Sequence, residues 1–395
     1  MGNLTTVGAL LIAILAHTAY KSYIAPPHVP SPYEHFFSES YYDARALFRD
    51  SARAANAKLH AIPYPIESMD LTIDVAILPG TSPSSLVIHL SGMHGVEGFA
   101  GGAIQSALLS NASFTSAAHV PTIVFVHAVN PFGFAKLRRF NEHNVDLNRN
   151  HLTPEEFTAA RARDPNHAGY EDISHLLNPP EHNDMAFWLG SVYSVLTRGF
   201  LAVKRAIVAG TYHNPRGIFY GGHELEPSHR LLHAFFAAQF DLATITRVAF
   251  VDVHTGLGPT GAATIRTNKP DLAPLLFPGC LLASADDGAL AGYEDVQGSG
   301  VQGYKATWFQ TASTVVTVTQ EFGTVSSSAV VRGVIIESAA FNHHPESRLA
   351  AAELVRDVFY LHDDPQWKHA VANQGIDGLQ NIVAHWSELF DGQVV

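Results

Sequence analysis

Residues 85–98 read S-L-V-I-H-L-S-G-M-H-G-V-E-G, an apolar run closed by a glycine-punctuated turn that carries a histidine and a carboxylate. The run at 86–90 has the length and unbroken hydrophobicity of a strand buried on both faces. Three more runs follow the same plan: 123–129 (I-V-F-V-H-A-V), 247–256 (R-V-A-F-V-D-V-H-T-G) and 315–323 (V-V-T-V-T-Q-E-F-G). An alternating run at 71–78 precedes them. Helical patterns fill the intervals at 99–109, 153–163, 185–208 and 228–240, with others at 33–56, 347–361 and 379–390. Apolar strands separated by helices bury both sheet faces only when helices cover both. The expected fold class is therefore α/β, a mostly parallel twisted sheet with helices on either side. With 395 residues, 47% hydrophobic and 15% charged, the chain has ample core for this.

Open α/β sheets place their ligands at the carboxyl ends of the strands. That is where His94 and Glu97 fall, with glycines at 92, 95 and 98 to turn the backbone beside them. H-x-x-E alone is weak, since it recurs at His223/Glu226 and His343/Glu346. The first copy differs because it directly follows a strand. The 247–256 run ends in His254, with Asp252 on the same side of the strand and placed to orient it. The 315–323 run ends in Glu321. The 123–129 run leads into a loop with Arg138, Arg139, Asn148 and Arg149, groups suited to binding a carboxylate. Two imidazoles and a carboxylate, a spare carboxylate and arginines make the inventory of a hydrolytic zinc site.

Composition narrows the alternatives. The formal net charge of −12 and the lack of a basic run argue against nucleic acid as a partner. A single cysteine, Cys280, rules out an intramolecular disulfide and a cysteine zinc knuckle. There is no G-x-S-x-G elbow and no H-E-x-x-H helix, which disfavours a serine hydrolase and a helical metalloprotease. Residues 4–19 are uncharged and mostly apolar, and Met1-Gly2-Asn3-Leu4-Thr5-Thr6 fits a myristoylation pattern. We therefore expect residues 1–25 to direct the chain to a membrane or the secretory pathway, with a cytoplasmic location as the alternative. Residues 26–32 (P-P-H-V-P-S-P) would form a stiff linker, and 33–395 one domain with a helical insert at about 152–240.

Taken together, H-G-V-E-G (94–98), N-P-F-G-F (130–134), R-R-F-N-E-H-N-V-D-L-N-R-N (138–150), D-V-H-T-G (252–256) and E-F-G-T (321–324) resemble the zinc carboxypeptidase superfamily. The likeness spans about 71–342 and is nearest to a branch of unknown function beside the succinylglutamate desuccinylase/aspartoacylase group. The resemblance implies one Zn2+ ion held by His94, Glu97 and His254. It implies Glu321 as general base and Arg139, or its neighbour Arg138, as the group that stabilises the oxyanion. Asn148 and Arg149 match the pair that grips a free carboxylate, and Tyr304 is a candidate for a mobile tyrosine. The implied reaction is hydrolysis of a peptide or amide bond next to a free carboxylate. The substrate would be a small peptide or an N-acyl amino acid, which leaves deacylation and a catalytically silent binding protein as alternatives. Residues 152–240 have no counterpart in the digestive carboxypeptidases, and the oligomeric state is open.

Overall fold

The computed structural model describes residues 31–283, 293–310, 312 and 314–391. The expected membrane-directing segment at 1–25 and most of the linker lie outside them. Among the described residues no single helix is long and apolar enough to cross a membrane.

Among the described residues, eight strands form one sheet: β1 Lys58–Pro63, β2 Thr72–Leu78, β3 Ser85–Ser91, β4 Thr122–His127, β5 Arg247–Thr260, β6 Ala263–Thr267, β7 Leu281–Leu282 and β8 Thr314–Gly323. Their order across the sheet is β1-β2-β4-β3-β5-β8-β6-β7. The central four, β4-β3-β5-β8, run parallel, while β1, β2 and β6 join by antiparallel pairings. This is the expected α/β class. β3 and β4 are buried along nearly their whole length, with helices covering them above and below.

Among the described residues, the helices of eight or more residues are α1 Tyr41–Ala54, α2 Gly98–Ser110, α3 Pro154–Ala162, α4 Tyr170–Leu177, α5 Asp184–Arg198, α6 Phe200–Ala209, α7 Pro227–Gln239, α8 Gly300–Trp308, α9 Ser327–His343, α10 Arg348–Phe359 and α11 Pro365–Ala384. One face of the sheet is covered by α2, with α1 and α11 packed against it. The glycines inside α2 let it sit close: a Cβ on Gly102 would lie 2.7 Å from the His127 ring. The other face carries α7 and α8, whose Phe236 and Trp308 stack 4.1 Å apart over Phe250 of β5. A second apolar cluster ties α4, α5 and α6 to α9 and α10 through Tyr170, Ile173, Phe187, Val334 and Phe359.

The structure corrects four readings of the sequence, among them the helix expected at 379–390, which is the end of α11 followed by a separate short helix, Trp386–Asp391. The helix expected at 33–56 begins only at Tyr41, where Ser40 accepts the Asp43 N–H and caps it. The helix expected at 185–208 is two, broken at Gly199 (φ 85°) by a 114° bend. The apolar period continues across the break, so pattern alone reads through it. Pattern did not flag the short strands β1, which is half exposed at the sheet edge, and β6, which puts only Ala263 and Ile265 into the core.

Two histidines are sealed in the core. Among the described residues, the His89 ring hydrogen-bonds only to Gln105, and neither ring nitrogen of His127 has a hydrogen-bond partner. Burial lowers both to about 3, with Arg49 and Arg45 adding to the effect at His127. The folded chain thus holds these rings neutral where the unfolded chain would protonate them. Their contribution is complete above about pH 6.5 and is lost as pH falls from there towards about 3. Unfolding free energy should decline by about 1.4 kcal/mol per pH unit for each ring across that window. Urea titrations at pH 7, 6, 5 and 4 measure this, and a flat profile would contradict it.

Candidate metal centre

The chain leaves β3 through Gly92 (φ 66°), passes His94 and enters a short helical turn, Gly95–Glu97. A Cβ on Gly95 would lie 2.1 Å from the Gly133 carbonyl carbon, so this turn packs backbone to backbone on the segment after β4. The contact fixes where His94 and Glu97 point. Glu97 Oε1 lies 2.9 Å from His94 Nδ1, and Glu97 Oε2 lies 2.9 Å from His254 Nδ1. The two Nδ1 atoms are 3.1 Å apart. All three residues are buried, 2–4% exposed.

These spacings suit a metal. Ligands about 2.0–2.1 Å from a tetrahedral zinc stand roughly 3.3 Å from one another. Two imidazole nitrogens facing each other across 3.1 Å need a proton or a cation between them, and the carboxylate completes the set. His254 Nε2 donates to Asp252 Oδ2 at 2.8 Å, which leaves the Nδ1 lone pair turned towards Glu97 and His94. Burial alone would lower His254, but Asp252 and Glu97 hold it well above the usual histidine range. Burial likewise raises the Glu97 carboxyl, and the facing His94 and His254 outweigh that and hold it below the normal carboxylate range. The donor set fits one zinc ion.

Glu321 pairs in register with His254 across the β5–β8 ladder, so both side chains emerge on the same side. Its Oε1 accepts the Leu257 N–H at 3.0 Å. Its recessed position raises its pKa, with Glu97 adding to the rise and His254 opposing it. Arg139 reaches the same place from the loop after β4. Its Nη2 is 2.7 Å from His94 Nε2, its Nη1 is 3.4 Å from Glu97 Oε1, and Nε and Nη2 both bind Asp146.

The remaining candidates stand elsewhere. Arg138 turns away from the centre. Its Nε donates to Glu337 at 2.5 Å, and its Nη atoms go to the Asn141 carbonyl and Asn144. Its guanidinium also lies over the Phe341 ring. This buried pair links the loop to α9, and no donor of it points at His94 or Glu97. Replacing Arg138 with Met should cost about 3–5 kcal/mol, because it strands Glu337 without a cation. Any metal the centre binds should be retained by the folded fraction; its loss with normal stability would place Arg138 among the groups that hold it.

Asn148 accepts the Gly300 N–H, and Arg149 spends Nε and Nη2 on the Val208 carbonyl at the end of α6. Tyr304 is fully buried, its hydroxyl 2.8 Å from His229 Nδ1 and its ring stacked on Trp308. Glu226, from the second H-x-x-E, is buried and bound by Asn141 and His143. Asp146 was not anticipated. It is fully buried, 3.3 Å from His94 Nε2, and Arg139 with His94 overcomes the effect of burial to hold its carboxyl well below the usual range. Its only signal in the sequence was its place two residues before Asn148.

A family model described as "Protein of unknown function (DUF2817)" matches residues 37–374. No curated protein sequence matches the chain. Among solved structures, the chain is similar to bovine thrombin-activatable fibrinolysis inhibitor in complex with tick carboxypeptidase inhibitor. There the identity is 12%, over 87% of this chain and 100% of that one, with a TM-score of 0.44. It is also similar to a metallo-carboxypeptidase from Burkholderia cenocepacia, at 12% identity over 81% of this chain and 69% of that one, with a TM-score of 0.39.

Proposed function

This chain belongs to the family described as protein of unknown function (DUF2817), and we propose that it is a zinc-dependent hydrolase of a peptide or amide bond next to a free carboxylate. The observation that carries this reading is the buried triad His94, Glu97 and His254, with Glu321 in register beside His254. The triad would hold the ion, and Asp252 and Asp146 would orient its imidazoles. A zinc ion held there supplies Lewis acidity, which acidifies water and polarises a carbonyl. Glu321 would take the proton of the attacking water and pass it to the leaving amine, a task for which a raised carboxyl pKa is suited. Arg139 would place positive charge beside the carbonyl oxygen as it becomes negative. Asn148 and Arg149 would meet the substrate carboxylate, for which Arg149 must exchange its bonds to the Val208 carbonyl.

The test pairs metal analysis with matched substrates. Full-length protein is assayed for zinc, then given blocked dipeptides and N-acetyl amino acids, each as free acid and as amide. The expected result is about one zinc per chain and cleavage of the free acids at least tenfold faster than the amides. Cleavage confined to N-acetyl amino acids would move the reading to a deacylase. Zinc without hydrolysis of any of them would leave a binding protein.

A further inference from the structure

We propose that the helical hairpin α5–α6 docks on a lipid surface. Helix α5 is inverted with respect to an ordinary surface helix. Its outward face carries Met185, Trp188, Leu189, Val192, Tyr193 and Leu196, which recur at helical spacing along one stripe. Four of them, Met185, Leu189, Tyr193 and Leu196, are 65–72% exposed. The face turned to the protein is made of smaller or polar groups, with Ser194 buried and Gly190 against Leu176, and Phe187 as its one large anchor. Beyond the bend at Gly199, Phe200 and Leu201 at the start of α6 are also exposed. Apolar patches of this size on a soluble chain mark an interaction surface.

The charges of the hairpin are tied off at its edges. Asp184 pairs with Arg332, Arg198 with Asp172 and Arg205 with Asp295, Lys204 lies over the Tyr293 ring, and none of the four belongs to the stripe. An uncharged apolar ridge with Trp188 and Tyr193 set into it has the chemistry of a helix lying in the acyl boundary of a bilayer. The sequence outside the described residues favours lipid over a second protein. The apolar stretch at 4–19 is followed by only residues 20–30 before the described chain begins at Ser31. Eleven residues reach at most about 40 Å. If the apolar stretch enters a bilayer, the body is tethered within about 40 Å of that surface, where a ridge of this chemistry would find lipid as its partner. The inference does not depend on the hydrolase reading.

Trp188 is a built-in reporter. The chain has four tryptophans, and Trp308, Trp367 and Trp386 are buried at 4%, 1% and 2% exposure, against 41% for Trp188. The full chain is mixed with phosphatidylcholine vesicles whose acyl chains are brominated, and emission is compared with that of the W188F variant. Docking predicts that the Trp188 component shifts to shorter wavelength and loses at least about half its intensity. The double substitution L189E/L196E, at two exposed positions, should abolish that quenching while leaving the melting temperature and zinc content unchanged. The proposal is overturned if the chain does not sediment with vesicles, or if it does while Trp188 stays as open to aqueous iodide as in buffer. It is equally overturned if L189E/L196E is still quenched. Shielding of Trp188 without lipid would assign the ridge to another occupant: a second copy if the mass doubles, or residues 4–19 if it does not.

Discussion

Replacing Glu321 with Gln should lower kcat on the best amide substrate by roughly 10²–10⁴-fold while the protein keeps its zinc. The amide preserves the size of the side chain but cannot accept a proton. The neighbouring triad has its own bonds, so its geometry does not depend on the charge of Glu321. The two outcomes must be read together. Loss of turnover with zinc retained separates proton transfer from metal holding. Retained turnover would remove Glu321 from the chemistry, whatever its place beside His254. Loss of zinc would make it a ligand instead.

The second large effect is on binding. Glu97→Ala removes the carboxylate that touches both imidazoles, and with it hydrogen bonds from the Thr255 backbone and Arg139. Bound zinc should fall from about one per chain to near zero after dialysis against metal-free buffer. Thermal unfolding gives an independent reading. A ligand present at about 1,000 times its Kd stabilises the folded state by roughly 4 kcal/mol. The parent should therefore lose several degrees on treatment with a chelator, and Glu97→Ala should not respond. A parent that is indifferent to chelator would count against the metal centre itself.

The central sheet was legible because its strands are long apolar runs, each with a polar residue near its carboxyl end. Covering helices leave such runs little choice but a buried parallel strand. β1 and β6, which lie outside the central four strands, were not legible. β1 begins with Lys58 and is half exposed, and β6 alternates weakly over five residues. Their pairing is set by neighbours that the sequence does not display. At the site, residues that end strands could be picked out, and residues in loops could not be told apart. Arg138 and Arg139 are adjacent and identical in chemistry, yet one faces Glu337 and the other faces His94. Asp146 gives no local sign of its role, because what defines it is the approach of His94 and Arg139 from elsewhere in the chain.

The order of the strands in space differs from their order in the chain, and this sets when the centre can exist at all. β3 lies between β4, made next, and β5, made more than a hundred residues later. Glu97 and His254 are 157 residues apart. At synthesis rates of about 5–20 residues per second, one imidazole and one carboxylate wait roughly 10–30 s before the second imidazole is made. During that interval β3 has only one parallel neighbour, β4, and the set of three ligands lacks His254. On the proposed reading, metal capture would be a late event in the life of the nascent chain, and it would report that the middle of the sheet has closed.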